Sequence, residues 1–389
     1  MRYLSARYVF PISSPPIKNG ILCVNDDGCI VDVINTGGKS ESCSKLEFYD
    51  GILVPGIVNA HCHLELSHLY GIMEPNIGLP GFISSIGKLR SATDETIQAA
   101  AKAADGEMRK NGMVAVGDIS NNSCTLPIKR DSLIWYRTFV EVFGLDNNHS
   151  EKLFASAQQI EQEYRNAGMP VSIVPHALYS VSRTLWKNLS DWYALDDPEV
   201  VSIHHHESSD ELKVLWEGKG ELVDKFRENG LFTEPVFGFA NPIKKKCLLV
   251  HNTFSTRDDL SKYITHPQRF YFVLCPGSNL FIQNRLPDFL LFSSQKLCNY
   301  VCLGTDSLAS NTSLSLLNEM KIIQHYTPEI PLGILLQWAT LNGARALAFD
   351  HLLGSFEINK KPGVNLIMGI DFENMRLTDE SVVKVIVDN

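Results

Sequence analysis

The chain has 389 residues, enough for one large domain with a small one or for two to three ordinary domains. Hydrophobic residues make up 44% and charged residues 20%, which excludes a disordered or fibrous chain. The formal net charge is −9 and no basic run exceeds Lys244–Lys246, so we predict no nucleic-acid partner.

The sequence carries no signal for a membrane or for secretion. No apolar run approaches the ~18 residues of a membrane helix, and residues 1–5 lack the apolar core of a secretion signal. Nine cysteines without paired spacing suit a reducing compartment, where most serve as small buried apolar residues. We therefore predict a cytoplasmic protein with no membrane partner.

Both chain ends predict short strands. Near the start, Ile21–Val24 and Cys29–Ile34 flank Asn25-Asp26-Asp27-Gly28, and the Asp-Gly pair is typical of a hairpin. Near the end, Val364–Ile370 and Val382–Val387 are also strand-like. Neither end has enough strands for a stable sheet, so we expect the two to combine into one small β domain.

Between the ends, short apolar runs alternate with longer helical patterns, which predicts βα units and a parallel sheet. A plausible cap, Thr93 or Asp94, opens the first helical pattern. The clearest helical patterns are Thr93–Lys110, Ser150–Asn166, Asp210–Trp216 and Ser313–Gln324. The apolar runs are Ile52–Asn59, Met113–Ile119, Trp135–Phe143, Val171–Pro175, Val200–His204, Cys247–Val250, Phe270–Leu274 and Tyr300–Leu303. Eight such units over roughly 250 residues predict a (β/α)8 barrel.

Functional side chains of such a barrel lie at the carboxyl ends of its strands, so polar residues that end the runs are the candidates. The first run leads to His61-Cys62-His63. In an extended segment both imidazoles point to the same side, where two nitrogen ligands can chelate a metal. Taken alone, this pair is equally compatible with ordinary polar residues at a strand end.

Three further strand ends offer histidine or carboxylate side chains. The fifth run ends in His204-His205-His206-Glu207, the sixth in His251 and the eighth in Asp306. Each could be a hydrogen-bonded rim residue, but their joint occurrence favours a site. Three imidazoles and one carboxylate are donors that Zn²⁺ accepts, with a position left for water. The pattern therefore indicates a hydrolytic metal.

In the order and spacing of these motifs the sequence resembles the amidohydrolase superfamily, in its deaminase and chlorohydrolase branch, which includes adenosine-type, adenosylhomocysteine and aminofutalosine deaminases. The resemblance implies an α/β fold, a (β/α)8 TIM barrel with a small β-sandwich domain built from both chain ends. The expected division is 1–52 and 351–389 for the β-sandwich and 53–350 for the barrel. The motifs that carry the resemblance are Pro55-Gly56-Ile57-Val58-Asn59-Ala60-His61-Cys62-His63, Pro175-His176-Ala177-Leu178-Tyr179-Ser180, Ile203-His204-His205-His206-Glu207-Ser208, His251, Cys275-Pro276-Gly277-Ser278-Asn279 and Gly304-Thr305-Asp306.

The resemblance also implies residue roles. The implied metal ligands are His61, His63, His204 and Asp306. Glu207 is the implied proton shuttle, and His251 resembles a histidine that contacts the attacking water, so Glu207, His251 and Asp306 are the catalytic candidates. Strand four, Val171–His176, lacks the lysine that bridges two metals in other members, which favours one Zn²⁺ per chain; Fe²⁺ accepts the same ligands.

Other residues are substrate-binding candidates with open alternatives. His176 is expected to aim into the barrel mouth, although a packed rim histidine is the alternative. Ser278 and Asn279 can meet a substrate or form a simple turn, and Glu65 and His68 can reach a substrate or only position the first loop. We interpret His205 and His206 as structural, with one pointing inward and the other outward. The glycine-rich segment Leu69–Arg90 is expected to be a loop that covers the mouth.

The expected function is hydrolytic deamination of an aminated heterocycle such as an adenosine derivative, a small-molecule substrate. Hydroxide at the metal attacks the carbon that bears the amine, and Glu207 protonates the ring nitrogen and then the leaving ammonia. Nearly the same residues serve guanine or pterin deamination, hydrolytic dechlorination and amide hydrolysis, which stay alternatives. A catalytically dead scaffold is the alternative from another class, although the full ligand set argues against it. Acidic members of this group are often dimers, so a homodimer stays open.

Overall fold

The coordinates are those of a computed structural model. It describes residues 1–39, 45–228, 246–263, 266 and 269–389. None of the helices within these ranges is long and apolar enough to span a lipid bilayer.

Within the described residues, the two chain ends build a small β domain of seven strands. They are β1 (Arg2–Val9), β2 (Ile17–Lys18), β3 (Ile21–Val24), β4 (Ile30–Ile34), β5 (Leu46–Pro55), β14 (Val364–Asp371) and β15 (Arg376–Val387). The order is β15-β14-β5-β1-β3-β4, with β2 beside β1, in one continuous hydrogen-bonded sheet. Strand β14 pairs antiparallel with β5, and Leu53 and Leu366 are buried in the same apolar cluster. This confirms that both ends contribute to one domain.

The hairpin predicted near the start of the chain joins β3 to β4. The side-chain oxygen of Asn25 accepts hydrogen bonds from the backbone N–H groups of Asp27 (3.1 Å) and Cys29 (2.8 Å). Gly28 has φ +79°, a left-handed conformation that glycine adopts at no steric cost. The turn chemistry read from the sequence therefore explains this connection.

Eight parallel strands of the described chain correspond one to one to the eight predicted runs. They are β6 (Ile57–Cys62), β7 (Met113–Ser120), β8 (Trp135–Val142), β9 (Val171–Pro175), β10 (Val200–His205), β11 (Lys246–His251), β12 (Phe270–Leu274) and β13 (Val301–Leu303). The first run is divided, because Ile52–Pro55 pair with β14 and the barrel strand begins only at Ile57. The domain division at residues 52 and 350 stays a prediction.

Two seams close the eight strands on themselves. The strands form two four-stranded sheets, β6-β7-β8-β9 and β10-β11-β12-β13. At one seam, the backbone N–H of His204 donates to the carbonyl oxygen of His176 (2.8 Å). At the other, the N–H groups of Thr305 and Asp306 donate to the carbonyl oxygen of His61 (3.0 and 3.1 Å). Both seams therefore run through residues that the sequence marks as site candidates.

The helices pack around the barrel and follow the predicted patterns. Their bounds are α1 (Gly78–Leu89), α2 (Asp94–Lys110), α3 (Leu126–Asp131), α4 (Ser150–Asn166), α5 (Arg183–Asp196), α6 (Ser209–Glu217), α7 (Glu221–Glu228), α8 (Arg257–Ser261), α9 (Pro276–Gln283), α10 (Phe289–Phe292), α11 (Leu316–Tyr326), α12 (Leu332–Trp338) and α13 (Leu341–Ala346). Helix α11 begins three residues later than its predicted pattern, because Ser315 is extended (φ −105°, ψ 111°).

Helix α2 shows how local sequence sets these elements. The Thr93 hydroxyl accepts a hydrogen bond from the backbone N–H of Thr96 (3.3 Å), which caps the first turn. Acidic residues lie in the first turn and basic residues in the last, as the helix dipole favours. The buried face consists of Ile97, Ala101, Ala104 and Met108, at the spacing of one helical stripe.

Candidate active site

Two histidines and one aspartate converge where the first and last barrel strands end. His61 lies at the end of β6 and His63 just beyond it, and Asp306 follows β13. The Nε2 atoms of His61 and His63 are 3.2 Å apart. Oδ1 of Asp306 lies 3.7 Å from His61 Nε2 and 3.4 Å from His63 Nε2. All three side chains are buried.

These spacings fit a single divalent metal ion. Donors about 2.0–2.2 Å from a tetrahedral Zn²⁺ lie roughly 3.4 Å from one another. The three separations of 3.2, 3.4 and 3.7 Å bracket that value. Imidazole nitrogen and carboxylate oxygen are also donors that Zn²⁺ and related ions accept. The residues present are therefore suited to hold a metal.

His204 on β10 and His251 on β11 complete the cluster. One ligand nitrogen each of His61, His204 and His251 lies within 4.8 Å of the others. The Nδ1–H of His204 donates to the carbonyl oxygen of His176, and the Nδ1–H of His251 donates to Oδ1 of Asn279, both over 2.9 Å. These acceptors fix the tautomer of each ring, so that Nε2 keeps its lone pair.

Burial keeps the imidazoles of this cluster neutral. Loss of hydration, reinforced by the neighbouring histidines, lowers the pKa of His176 to about 4. Burial also lowers the pKa of His63 to about 3 and that of His204 well below its usual range. The pKa values of His61 and His251 are lowered for the same reason. Neutral imidazoles are the form that binds metals.

Asp306 is fixed in a strained backbone conformation. Its φ is 57°, in the left-handed region that non-glycine residues rarely adopt. The hydroxyls of Ser278 and Ser310 donate to Oδ2 over 2.6 and 2.7 Å, which leaves Oδ1 toward the histidines. Burial opposes ionisation, but the hydrogen bond with His61 and the nearby rings of His63 and His251 favour the carboxylate and hold the pKa of Asp306 well below its usual range. The carboxylate is therefore available as an anionic donor.

Glu207 lies directly beside this cluster, just after β10. Its Oε1 is 3.7 Å from Nε2 of His251, and its backbone N–H donates to the Glu211 carboxylate over 2.6 Å. Burial, with the negative charge of Asp306, raises the pKa of Glu207 to about 8. At neutral pH the side chain therefore carries a proton, as a general acid must.

A cavity of about 460 Å³ opens onto the cluster. Glu207, His176 and Asp306 are among the side chains that line it, and Nδ1 of His176 is 2.8 Å from the Ser180 hydroxyl. One wall is apolar and comes from α1, through Leu79, Phe82, Ile83 and Ile86. The segment Leu69–Arg90, expected to be a loop, therefore contains a helix that covers part of the mouth.

Three other substrate-binding candidates lie behind the cavity wall. Glu65 accepts hydrogen bonds from the Arg90 guanidinium (3.1 Å) and the backbone N–H of Asn121 (3.0 Å). Ser278 and Asn279 lie in the first turn of α9, where they are buried and contact Asp306 and His251. Glu65, Ser278 and Asn279 are not among the described residues that line the cavity.

His205 and His206 lie outside the cavity. Their rings stack with centroids 3.8 Å apart, and both side chains are buried, so neither is exposed at the protein surface. The ring of His205 lies between Asn252 Oδ1 (3.0 Å) and the Tyr263 hydroxyl (2.9 Å). Nδ1 of His206 is 3.1 Å from the Ser255 hydroxyl. These contacts connect the end of β10 to the segment after β11.

Four polar residues of the cavity wall were not predicted from the sequence, namely Arg90, Asn121, Glu141 and Ser307. Glu141 is near the end of β8, in the apolar run Trp135–Phe143. A single carboxylate near the carboxyl end of a barrel strand was the available signal for it. Arg90 follows α1 and Asn121 follows β7. Both are far from Glu141 in the sequence, and only the tertiary fold brings the three residues together.

A buried ion pair supports the chain segment after the first strand. Oδ1 of Asp118 on β7 accepts a hydrogen bond from the backbone N–H of Leu64 (2.7 Å), the residue after His63. Its Oδ2 pairs with the ammonium of Lys129, which also donates to the Ser120 hydroxyl (2.8 Å). Because both charged side chains are fully buried, the pair holds this segment in one position.

The chain is similar in sequence and in fold to known proteins. The adenosine deaminase of Helicobacter pylori (strain ATCC 700392 / 26695) is 27% identical over 335 residues, which cover 83% of this chain and 80% of that protein. The fold is similar to the crystal structure of H. pylori aminofutalosine deaminase in complex with methylthio-coformycin (TM-score 0.79, 23% identity, 95% of this chain and 92% of that chain). It is also similar to an adenosine deaminase from Xanthomonas campestris with bound zinc (TM-score 0.71, 20% identity, 96% and 86%). These neighbours confirm the predicted fold class. The sequence profile of the Amidohydrolase family matches residues 52–388, and the chain therefore belongs to that family.

Proposed function

We propose that this protein is a metal-dependent hydrolase that removes the exocyclic amine of an adenosine derivative as ammonia. The observation that carries the proposal is that the buried Glu207 shares one cavity with His63, His204, His251 and Asp306. The similarity to an adenosine deaminase and to an aminofutalosine deaminase supports an adenosine-type substrate.

The proposed resident metal is one Zn²⁺ per chain. Its proposed ligands are His61, His63, His204 and Asp306. The donor spacings of 3.2–3.7 Å and the zinc in the similar X. campestris structure support this choice. Bound there, the ion would act as a Lewis acid and lower the pKa of a coordinated water.

Several polar side chains of the cavity have a proposed role in the reaction. Water adds to C6 of the purine, the bond from C6 to the exocyclic nitrogen breaks, and ammonia leaves with the inosine-type product. Glu207 first donates its proton to N1 of the ring and then passes one proton of the water to the leaving amine. The second water proton leaves the C6 hydroxyl as the carbonyl forms and returns to Glu207, which restores the acid. His251, whose Nε2 lies 3.7 Å from Oε1 of Glu207, orients the attacking water. Asp306 accepts a hydrogen bond from that water. His176, which lines the same cavity, is proposed to contact the ring.

Glu65, Ser278 and Asn279, which do not line the cavity, are proposed to position the catalytic side chains rather than to bind substrate. Ser278 fixes one oxygen of Asp306, and Asn279 fixes the tautomer of His251. Glu65 anchors Arg90, which follows helix α1. Residues that orient the groups around a metal commonly change affinity or activity by 10–100-fold when they are removed.

A substrate screen on the purified zinc-loaded protein tests the function. The panel contains adenosine, 5′-modified adenosines, guanine, a pterin and a chlorinated triazine. We expect an adenosine derivative to lose absorbance in the adenine band with one ammonia released per molecule converted. Turnover of only guanine, the pterin or the triazine would contradict the substrate assignment, and no turnover of any compound would contradict the enzyme assignment.

A further inference from the structure

Asn59 is a buried amide of the barrel to which the proposed chemistry gives no role. It lies on β6, two residues before His61 and four before His63. The period of two along a strand places all three side chains on the same face. The side chain of Asn59 is completely buried. It therefore lies below the two histidines, inside the barrel.

Regular strand pairing is interrupted around the histidine and aspartate cluster. The register between β6 and β7 shifts between Asn59 and Cys62, the stretch that contains His61. The ladder between β12 and β13 ends at Leu303, three residues before Asp306. What joins the two ligand segments is the pair of backbone hydrogen bonds to the His61 carbonyl oxygen, together with the side chain of Asn59.

The amide of Asn59 connects these segments through three hydrogen bonds. Its Oδ1 accepts from the backbone N–H groups of Thr305 (3.2 Å) and His61 (3.3 Å). Its Nδ2 donates to the Thr305 hydroxyl (2.8 Å), and that hydroxyl donates to the carbonyl oxygen of Asp306 (3.1 Å). Because two N–H donors face Oδ1, a reversed amide would place donor against donor, so the contacts select one orientation.

The two segments approach each other closely at this bridge. A Cβ atom on Gly304 would lie 2.9 Å from Cβ of His61 and 3.0 Å from its carbonyl oxygen, so a larger residue would push the segments apart. Asp306 has φ 57°, a conformation that persists only where surrounding contacts over-determine it. The Thr305 hydroxyl supplies one such contact, and Asn59 fixes that hydroxyl.

We propose that Asn59 is a positioning residue that sets the separation of His61 and Asp306 and thereby the affinity of the site for its metal. The amide bonds to the backbone of His61 directly and to that of Asp306 through Thr305, so it acts on one proposed ligand from each end of the barrel. Asn59 is not among the described residues that line the cavity, so a direct contact with substrate is not part of this role. The inference rests on the proposed metal site but not on the identity of the substrate.

The test measures zinc affinity of the full chain by competition with a chelator of known affinity, independently of turnover. Thr305→Val removes the hydroxyl and keeps the branched shape, whereas Thr305→Ser keeps the hydroxyl. We expect Asn59→Ala and Thr305→Val to weaken zinc binding by about 10–100-fold and Thr305→Ser to stay within about twofold of the wild type. Because Asn59→Ala and Thr305→Val break the same bridge, the double variant should bind zinc about as weakly as Asn59→Ala alone.

Asn342→Ala is the matched control. Asn342 is also completely buried, and its amide donates to the carbonyl oxygen of Val301 (2.7 Å) at the other end of β13. This variant should lower the unfolding free energy in urea, as Asn59→Ala does, and yet keep the zinc affinity of the wild type. A merely structural role for Asn59 predicts the same zinc affinity in both variants.

The outcomes separate this inference from the proposed function. Wild-type zinc affinity in Thr305→Val, or equal weakening in Asn342→Ala and Asn59→Ala, would overturn it. If Asn59→Ala does not fold, the difference between Thr305→Val and Thr305→Ser decides. A wild type that binds no zinc would contradict the metal proposal and this inference together. A zinc-loaded wild type that is inactive on every adenosine derivative would contradict only the deaminase proposal.

Discussion

The Nδ1–H of His251 donates to Oδ1 of Asn279 over 2.9 Å, at the point where β11 ends and α9 begins. Asn279 lies in the first turn of α9 because Pro276 starts that helix, and proline is favoured at the first helical position. His251 itself has φ 77°, so its backbone is strained and its ring depends on this acceptor for orientation. The contact links a helix start to the proposed position of the attacking water.

Removal of this acceptor should reduce turnover without loss of metal. In Asn279→Ala the ring of His251 loses its fixed tautomer, and we expect kcat to fall by about 10–100-fold. Zinc content, measured by atomic absorption, should stay at the wild-type level because Asn279 contacts no proposed ligand nitrogen. Asn279→Asp keeps an acceptor and should retain more activity than the alanine variant. Equal activity of the wild type and Asn279→Ala would show that the contact has no catalytic role.

The two neighbouring histidines His204 and His206 provide a matched test of the metal site. His204 is a proposed ligand, whereas His206 contacts Ser255 outside the cavity. We expect His204→Ala to lose bound zinc and turnover together, because an incomplete nitrogen set binds the ion less tightly. His206→Gln should keep its zinc. A metal-loaded and active His204→Ala would remove His204 from the ligand set.

The sequence alone could predict the strands and most of the cluster, because both depend on local pattern. Buried parallel strands appear as short apolar runs, and the polar residues that end them meet at one edge of a barrel. It could not predict that Ser278 and Asn279 face Asp306 and His251, because side-chain direction depends on where α9 begins. Glu141 was missed because its apolar neighbours in β8 give no sign that its carboxylate faces the cavity.

Replacement of Glu207 separates proton transfer from metal binding. Glu207→Gln keeps the size of the side chain but removes its proton, so turnover should fall by about 10²–10⁴-fold. Zinc content should not change, because Glu207 is not a proposed ligand. Glu217→Gln, at an exposed position of the following helix α6, serves as the control and should keep the wild-type rate. Near-normal turnover of Glu207→Gln would assign the proton shuttle to another group, with His251 the next candidate.

Glu319 should make the stability of the protein depend on pH. It is buried on α11, accepts hydrogen bonds from Gly277 N–H and Asn311, and burial raises its pKa to about 7. Because the folded state holds this proton more tightly than the unfolded chain, its contribution is present at low pH and is lost as pH rises through about 7. The loss is at most about 3 kcal/mol for a shift from 4.5 to about 7.

The measurement for Glu319 is a difference between two proteins. Urea unfolding of the wild type and Glu319→Gln is compared at pH 5 and pH 8, because glutamine does not titrate. We expect the wild type to lose more unfolding free energy than Glu319→Gln between pH 5 and pH 8. A difference that is the same at both pH values would contradict the raised pKa.

Lys129 takes no part in the proposed chemistry, but we expect it to be essential for stability because its ion pair with Asp118 is fully buried. Burial alone disfavours its charge, but Asp118 outweighs that effect and raises the pKa of the amine above its usual range. Lys129→Met leaves the carboxylate of Asp118 buried without a cation, which typically costs about 3–5 kcal/mol of unfolding free energy. Asp118 also holds the backbone N–H of Leu64 beside His63, so zinc affinity should weaken in the same variant. Lys187→Met breaks the exposed pair with Asp191 and should leave both quantities nearly unchanged. Equal stabilities of the two variants in urea unfolding would show that the buried pair does not support the first strand.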